Sequence, residues 1–232
     1  MPQAIRIVRT IAASWKSLVL TAAITISAAM SGTAHAENTG LLRAAASGDA
    51  AAVARSLHGG AAVDTRDASG NTPLLLATAG NHVEAARLLI GAGANVNLQN
   101  NIHDSAYLLA GARGYLDILH MTLQHGADLK STNRYGGTAL IPACERGHVE
   151  TVRTLLQAGV DPNHVNRLGW TGLLEAVILG DGGERHQAIV RLLIDGGADV
   201  NLADHDGVTP LQHARRRHQD AIIKILSAAG AR

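Results

Sequence analysis

Apolar residues recur along the chain in short runs, and each run has a glycine three residues after its end. Clear examples are residues 86–90, 152–156 and 190–194, with Gly93, Gly159 and Gly197 following them. Glycine at this point is typical of a helix end, because it adopts the left-handed backbone conformation without steric cost. Asp or Asn with Gly three residues later then opens the next unit, which is turn chemistry. The pattern predicts a unit of turn, short inner helix, tight loop and longer outer helix.

These units recur at a fixed period. A Thr or Ser opens each inner helix, where its hydroxyl can accept the free N–H groups of the first turn. The spacings between these residues are 33, 33, 33, 33 and 38, and Ala always follows five positions later. The six positions are Thr39, Thr72, Ser105, Thr138, Thr171 and Thr209. A period of this length indicates stacked repeats, in which no unit buries its apolar face alone.

The repeated phrase resembles that of the ankyrin family, Thr-Pro-Leu-His-x-Ala. Its best copies are Thr72-Pro73-Leu74 and Thr209-Pro210-Leu211. The resemblance implies an all-α ankyrin-repeat solenoid of stacked helix-turn-helix units with β-turn tips, over residues 37–232. The expected repeats lie near 37–66, 67–99, 100–132, 133–165, 166–203 and 204–232. The five extra residues of the fifth repeat, Asp181–Arg185, are expected to lengthen its helix–helix loop.

Residues 1–36 have the features of a secretory signal. They contain three basic residues and no acidic one, an apolar run over 18–30, and then Ala34-His35-Ala36. We expect cleavage before Glu37. A retained membrane anchor is the alternative, but the apolar run is shorter than the ~20 residues that a spanning helix needs. The sequence therefore predicts a periplasmic protein with no stable membrane insertion after cleavage.

Charge and composition exclude several classes of function. The chain has 20 basic and 19 acidic residues, so loss of the three basic residues of the signal leaves 17 against 19, a net charge of about −2. A mildly acidic chain has no basic field for nucleic acid. The single Cys144 cannot form an internal disulfide, and a buried spacer is its expected role.

No sequence pattern indicates a metal, a cofactor or a catalytic residue. The chain has 12 histidines. His82 and His148 share one repeat position and are expected to be structural, and no Cys-x-x-Cys or His-Glu-x-x-His motif accompanies the histidines. Catalytic motifs such as Gly-x-Ser-x-Gly are also missing from the sequence. An enzyme and a metal-binding protein are therefore the less favoured alternatives.

The candidate site is a binding surface. The ankyrin resemblance implies that a partner contacts the turn tips and the exposed side of the inner helices, which together line a concave groove. Trp, Tyr and Arg are enriched in binding hot spots, and Tyr135 and Trp170 fall on adjacent tips. A Trp170 folded back over its own turn is the alternative. The predicted protein-binding residues are Ile102, Arg113, Arg134, Tyr135, Arg146, Arg167, Leu168, Trp170 and Arg216.

We therefore expect a monomeric, non-enzymatic module that docks a folded protein partner. Six arginines at groove positions outnumber three acidic residues there, so the expected partner face is acidic with an apolar centre. The favoured role is an accessory or scaffold for a periplasmic protein. The alternative is an inhibitor or immunity protein that neutralises a toxin delivered to the periplasm.

Overall fold

The computed structural model describes residues 35–232, and all regular structure in that range is helical. The helices are 35–47 (α1), Ala50–His58 (α2), Pro73–Ala79 (α3), Val83–Gly91 (α4), Ala106–Arg113 (α5), Leu116–Gln124 (α6), Leu140–Glu145 (α7), Val149–Gln157 (α8), Gly172–Ile178 (α9), Glu184–Asp195 (α10), Pro210–Arg216 (α11) and Asp220–Ala228 (α12). The predicted all-α solenoid is confirmed.

The helices form consecutive antiparallel pairs. Odd-numbered helices are the inner ones and pack on each other along the stack, α3 on α5, α5 on α7, α7 on α9 and α9 on α11. Even-numbered helices form the outer layer. The core is mostly Ala, Leu, Val and Ile, and the recurrent Ala of the repeat is buried in every pair: Ala44, Ala77, Ala110, Ala143, Ala176 and Ala214. A small residue there lets adjacent inner helices approach closely.

Four of the six repeated Thr or Ser residues cap the inner helix as expected. Thr39 does not, because it lies inside α1, where its hydroxyl donates to the His35 carbonyl at 3.0 Å. Thr72, Ser105 and Thr171 each accept a hydrogen bond from the backbone N–H three residues on, at 3.1–3.2 Å, and Thr209 does the same at 3.3 Å. Such caps typically stabilise a helix by about 1 kcal/mol.

The fourth repeat lacks this cap, and Pro142 removes a further hydrogen bond at the start of its inner helix. In the neighbouring repeats the residue at this position donates its N–H to the capping Thr or Ser, as Glu175 does to the Thr171 carbonyl at 3.0 Å. Pro142 has no N–H, and a proline ring clashes with the carbonyl four residues earlier. Helix α7 therefore begins only at Leu140, and the buried hydroxyl of Thr138 has no hydrogen-bond partner.

One repeat position, at or near the start of the outer helix, links neighbouring repeats at three places. His82 Nε2 lies 3.2 Å from the Ala46 carbonyl, His186 Nε2 lies 3.0 Å from the Glu145 carbonyl, and Gln219 donates to the Val177 carbonyl at 3.1 Å. The ring of His148 packs against Gly114 at the same repeat position. The structural role predicted for His82 and His148 agrees with this geometry.

The prediction for the inserted segment was wrong in part. Only Asp181–Gly183 lies in the loop, whereas Glu184 and Arg185 form the first turn of α10, which is 12 residues long. Asp181 accounts for the extension, since its Oδ1 accepts the Gly183 N–H at 2.9 Å and lies 2.7 Å from Nδ1 of His186. The carboxylate thus holds the new helix start.

The proposed signal falls almost entirely on residues 1–34, which lie outside the described residues. Residues 35 and 36, at its predicted end, belong to α1. Between residues 35 and 232, no helix combines the length and apolar character needed to cross a bilayer.

The glycines that end the outer helices have the expected backbone conformation, with Gly126 at φ 78°. Replacing Gly126 with alanine should lower the free energy of unfolding by about 1–2 kcal/mol, because the new Cβ strains a left-handed residue. No atom lies within 4 Å of that Cβ, so packing adds nothing. Gly91→Ala is the matched control, since Gly91 is helical and equally open. Urea unfolding measures the free energy of unfolding of both variants. Equal stability of the two would contradict this account.

Candidate functional site

Three large apolar side chains line up on the turn tips. Ile102, Tyr135 and Leu168 occupy the same position of three consecutive tips and are 50%, 54% and 53% exposed. Ser69 and Asp206 fill this position in the flanking repeats, so the apolar row belongs to the central repeats. We call Ile102, Tyr135 and Leu168 the tip row.

The tip row is held rigidly in register. In each tip a side-chain oxygen of the first residue accepts two backbone N–H groups, as Asn166 Oδ1 does from Leu168 at 2.9 Å and Trp170 at 3.0 Å. The fourth and fifth tips are also joined to each other, because the Arg167 N–H donates to the Tyr135 carbonyl at 2.9 Å. A preformed surface of this kind loses little conformational entropy when a partner binds.

A basic recess lies beside the tip row, between the third and fourth repeats. The exposed Arg113, Arg134 and Arg146 line it together with the carboxylates of Asp104 and Glu145. The Arg134 guanidinium lies 3.8 Å from Asp104 and stacks 4.8 Å from the centre of the Tyr135 ring. Burial raises the pKa of Asp104, although Arg134 and Arg113 oppose that rise. The recess therefore keeps an excess of positive charge when both carboxylates are ionised.

Arg167 and Arg216, which were predicted to bind the partner, do not line the basic recess. The Arg167 guanidinium donates to the Arg134 carbonyl at 2.9 Å, so part of its hydrogen-bonding capacity joins adjacent tips. Arg216 is exposed at the end of α11 and does not line the recess. Of the nine predicted residues, eight are exposed, and only Trp170 is partly buried.

A second cavity, next to the basic recess, has mostly apolar walls. Its volume is about 170 Å³, and it lies between the fourth and fifth repeats. Trp170 is partly buried and lines this cavity. The other lining residues are Asn133, Tyr135, Gly137, Ile141, Pro142, Glu145, Asn166, Leu168, Glu175 and Leu179.

The carboxyl group of Glu175 belongs to this cavity and was missed by sequence reasoning. Glu175 is only 6% exposed, and its Oε1 accepts a hydrogen bond from Asn166 Nδ2 at 2.9 Å. The repeat alignment contains a signal that could have found it, because the equivalent position holds Arg43, Leu76, Leu109, Pro142 and His213. A carboxylate here is unlike its counterparts in those repeats.

The environment of Glu175 disfavours its ionised form. Burial raises its pKa from 4.5 to about 7, and the nearby Glu145 carboxylate adds to the rise. The hydrogen bond from Asn166 and the charge of Arg146 act in the opposite direction. Close to neutral pH this carboxyl group therefore changes protonation with small changes of environment.

Cys144 packs beside this site but does not reach solvent. Its side chain is fully buried, and burial together with Glu175 raises the pKa of its thiol. A protonated, inaccessible thiol is a poor nucleophile. Over the described range, no three His, Cys, Asp or Glu side chains are grouped so that they could hold a metal ion.

The chain is similar to known ankyrin-repeat proteins. The family model described as ankyrin repeats (3 copies) matches residues 11–100, 41–133, 103–204 and 158–232. The crystal structure of an ankyrin repeat domain from Acinetobacter baumannii AYE is 61% identical, with a TM-score of 0.81, over 83% of this chain and 98% of that one. The crystal structure of the ankyrin repeat protein EF0377 is 44% identical, with a TM-score of 0.79, over 82% of this chain and 97% of that one.

A curated relative matches a shorter stretch. The ankyrin repeat protein YahD of Escherichia coli K12 is 51% identical over 57 residues, which is 25% of this chain and 28% of YahD. The similarity to YahD thus covers less than a third of that protein.

Proposed function

The chain belongs to the ankyrin-repeat family, and from that premise we propose that it is a periplasmic scaffold that docks a folded protein in its concave groove. Ankyrin repeats generally act as non-enzymatic protein–protein interaction modules. The location and the docking surface are the new elements of the proposal.

The tip row is the observation that carries this proposal. Three large apolar side chains, each about half exposed, stand in line on consecutive rigid tips. Contiguous exposed apolar surface rimmed by polar residues is typical of an interaction site. Leu179, 48% exposed at the end of α9, extends the same apolar surface into the groove.

The charge beside the tip row suggests what the partner presents. Arg113 and Arg146 are exposed at the ends of inner helices and form no ion pair within the described residues. A partner carboxylate placed between them would form charge-assisted hydrogen bonds, which are stronger than neutral ones. The proposed partner face is apolar at its centre with an acidic group on the side of the third repeat.

Secretion is the first testable part of the proposal. When the chain is expressed with its own N-terminus, osmotic shock should release it from the cells. The intact mass of the released protein should match a chain that begins at Glu37. The reason is that the basic, apolar and small-residue segments of a signal occur in order ahead of that position. Recovery of the chain in the membrane pellet with residues 1–36 still attached would rule out the cleaved form.

Capture from a periplasmic extract tests the docking surface. The immobilised protein should retain one partner in stoichiometric amount. A bait carrying Tyr135→Ala and Leu168→Ala should lose that partner, and a bait carrying Glu84→Ala and Glu150→Ala on the outer helices should keep it. Equal retention by all three baits would refute docking at the tip row.

A further inference from the structure

The cavity between the fourth and fifth repeats combines an apolar wall with a carboxyl group at its base. Ile141, Pro142, Leu168 and Leu179 supply apolar surface, and Trp170 supplies an aromatic one. The volume of about 170 Å³ is below the roughly 300 Å³ at which sites for drug-sized ligands begin. The cavity therefore has the size for one side chain of a partner.

Two of the polar groups of the cavity are carboxyl groups, and the charge of Arg146 only partly offsets the rise in the pKa of Glu175. Glu145 and Glu175 both line it, and neither forms an ion pair within the part of the chain that the structure describes. Arg146, the neighbouring cation, donates instead to the Ala112 carbonyl at 2.7 Å on the side of the third repeat. A buried carboxylate without a cationic partner is energetically costly, so the cavity is complementary to a positive charge.

The geometry of Glu175 distinguishes between the two basic side chains. Its Oε1 is occupied by Asn166, and Oε2 has no hydrogen-bond partner among the described residues. One available oxygen matches the point charge of an ammonium group, whereas a guanidinium is best satisfied by two oxygens of one carboxylate. A lysine also has a flexible apolar stem that packs along apolar walls while its charged end reaches a polar group.

We infer that this cavity is the receptor for a lysine side chain of the partner, with the ammonium on Glu175 and Glu145 and the stem between Leu168, Leu179 and Trp170. This inference deepens the proposed docking function and depends on it. The partner would then present an acidic group to the basic recess and a lysine to the adjacent cavity, which together fix its orientation on the groove.

Lysine binding should be linked to proton release from Glu175. Its pKa of about 7 in the free protein must fall when an ammonium binds, because an opposite charge favours the ionised form. Glu145 at the end of α7 and Arg146 directly after it also act on this pKa, in opposite directions. The other titratable groups on the helices packed against α9 include Cys144 of α7, His186 of α10 and His213 of α11, whose Nε2 lies 2.7 Å from Asp204.

Trp170 provides a local reporter for a direct test. The chain has two tryptophans, and loss of residues 1–36 removes Trp15 and leaves Trp170 as the single tryptophan of the mature protein. Its fluorescence should change saturably with Nα-acetyl-lysinamide, and Nα-acetyl-norleucinamide, which has the stem without the charge, should bind at least tenfold more weakly. Affinity for the lysine probe should rise roughly tenfold from pH 6 to pH 8, the ratio of the ionised fractions of the carboxyl group for a pKa near 7.

Two variants complete the test. Glu175→Gln keeps the acceptor for Asn166 but loses the charge, and it should abolish both lysine binding and its pH dependence. Glu150→Gln, exposed on α8 and more than half accessible, should change neither. Equal binding of the lysine and norleucine probes, tighter binding of Nα-acetyl-argininamide, or unchanged lysine binding by Glu175→Gln would each overturn the inference.

These outcomes separate the inference from the proposed function. The probes report on the cavity in the absence of a partner, whereas capture through the tip row is measured independently with Ile102→Ala, because Ile102 does not line the cavity. A partner that is captured normally by a protein that binds no lysine probe would overturn the lysine receptor and leave tip-row docking in place.

Discussion

Replacing Tyr135 and Leu168 together with alanine is expected to weaken partner binding by about thirtyfold or more. Truncation of a hot-spot residue typically costs about 2 kcal/mol or more, and about 1.4 kcal/mol corresponds to a tenfold change in affinity. Both side chains are more than half exposed, so little of their apolar surface stabilises the fold. Titration calorimetry with the captured partner measures the affinity.

Thermal unfolding provides the control for this double variant. Because exposed substitutions usually change stability by no more than about 0.5 kcal/mol each, the melting temperature should shift by only a few degrees. The outer-helix pair Glu84→Ala and Glu150→Ala should leave affinity unchanged. An early-melting tip-row variant that still binds at full affinity would show that these residues serve the fold and not the partner.

Glu175→Gln is expected to raise the free energy of unfolding by about 2 kcal/mol at pH 8. A shift from 4.5 to about 7 corresponds to about 3 kcal/mol, and water entering the open cavity screens part of it. The folded-state pKa lies above the unfolded value. The contribution of the Glu175 carboxyl group to the stability of the unsubstituted protein is therefore fully present below pH 4.5 and lost as the pH rises through about 7.

The difference between the two proteins should consequently depend on pH. Urea unfolding at pH 8 should show a higher free energy of unfolding for the variant. At pH 4.5 the two proteins should have nearly equal stability. Glu150→Gln is the matched control, because Glu150 is exposed and paired only with Arg153 on its own helix. A constant difference at both pH values would mean that the pKa of Glu175 is the same in the folded and unfolded protein, so that burial does not raise it.

The sequence could predict the fold closely because the repeat determines both the local conformation and the contacts. A local physical reason explains each recurring residue: the Thr or Ser cap, the left-handed Gly and the small Ala. Because six copies can be aligned, a residue that recurs by chance can be recognised. The exposed tips follow from the same alignment, which places Ile102, Tyr135 and Leu168 at one surface position of three consecutive repeats, and all three side chains are exposed.

The sequence could not predict effects that depend on contacts in the folded structure. Pro142 loosens the start of α7 through a clash with a carbonyl four residues away. Asp181 converts part of an insertion into a helix turn by bonding to Gly183 and His186. The high pKa of Glu175 arises from burial beside Glu145 on another repeat, a proximity that no short motif encodes.

Site-specific photo-cross-linking tests the central claim, that a partner docks on the tips and the groove, most directly. A photoreactive amino acid would replace Ile102 or Leu168 on the tips, and Glu84 or Glu150 on the outer helices, where both side chains are more than 60% exposed. The account predicts partner adducts from positions 102 and 168 and none from positions 84 and 150. Adducts from the outer helices with none from the tips would contradict it.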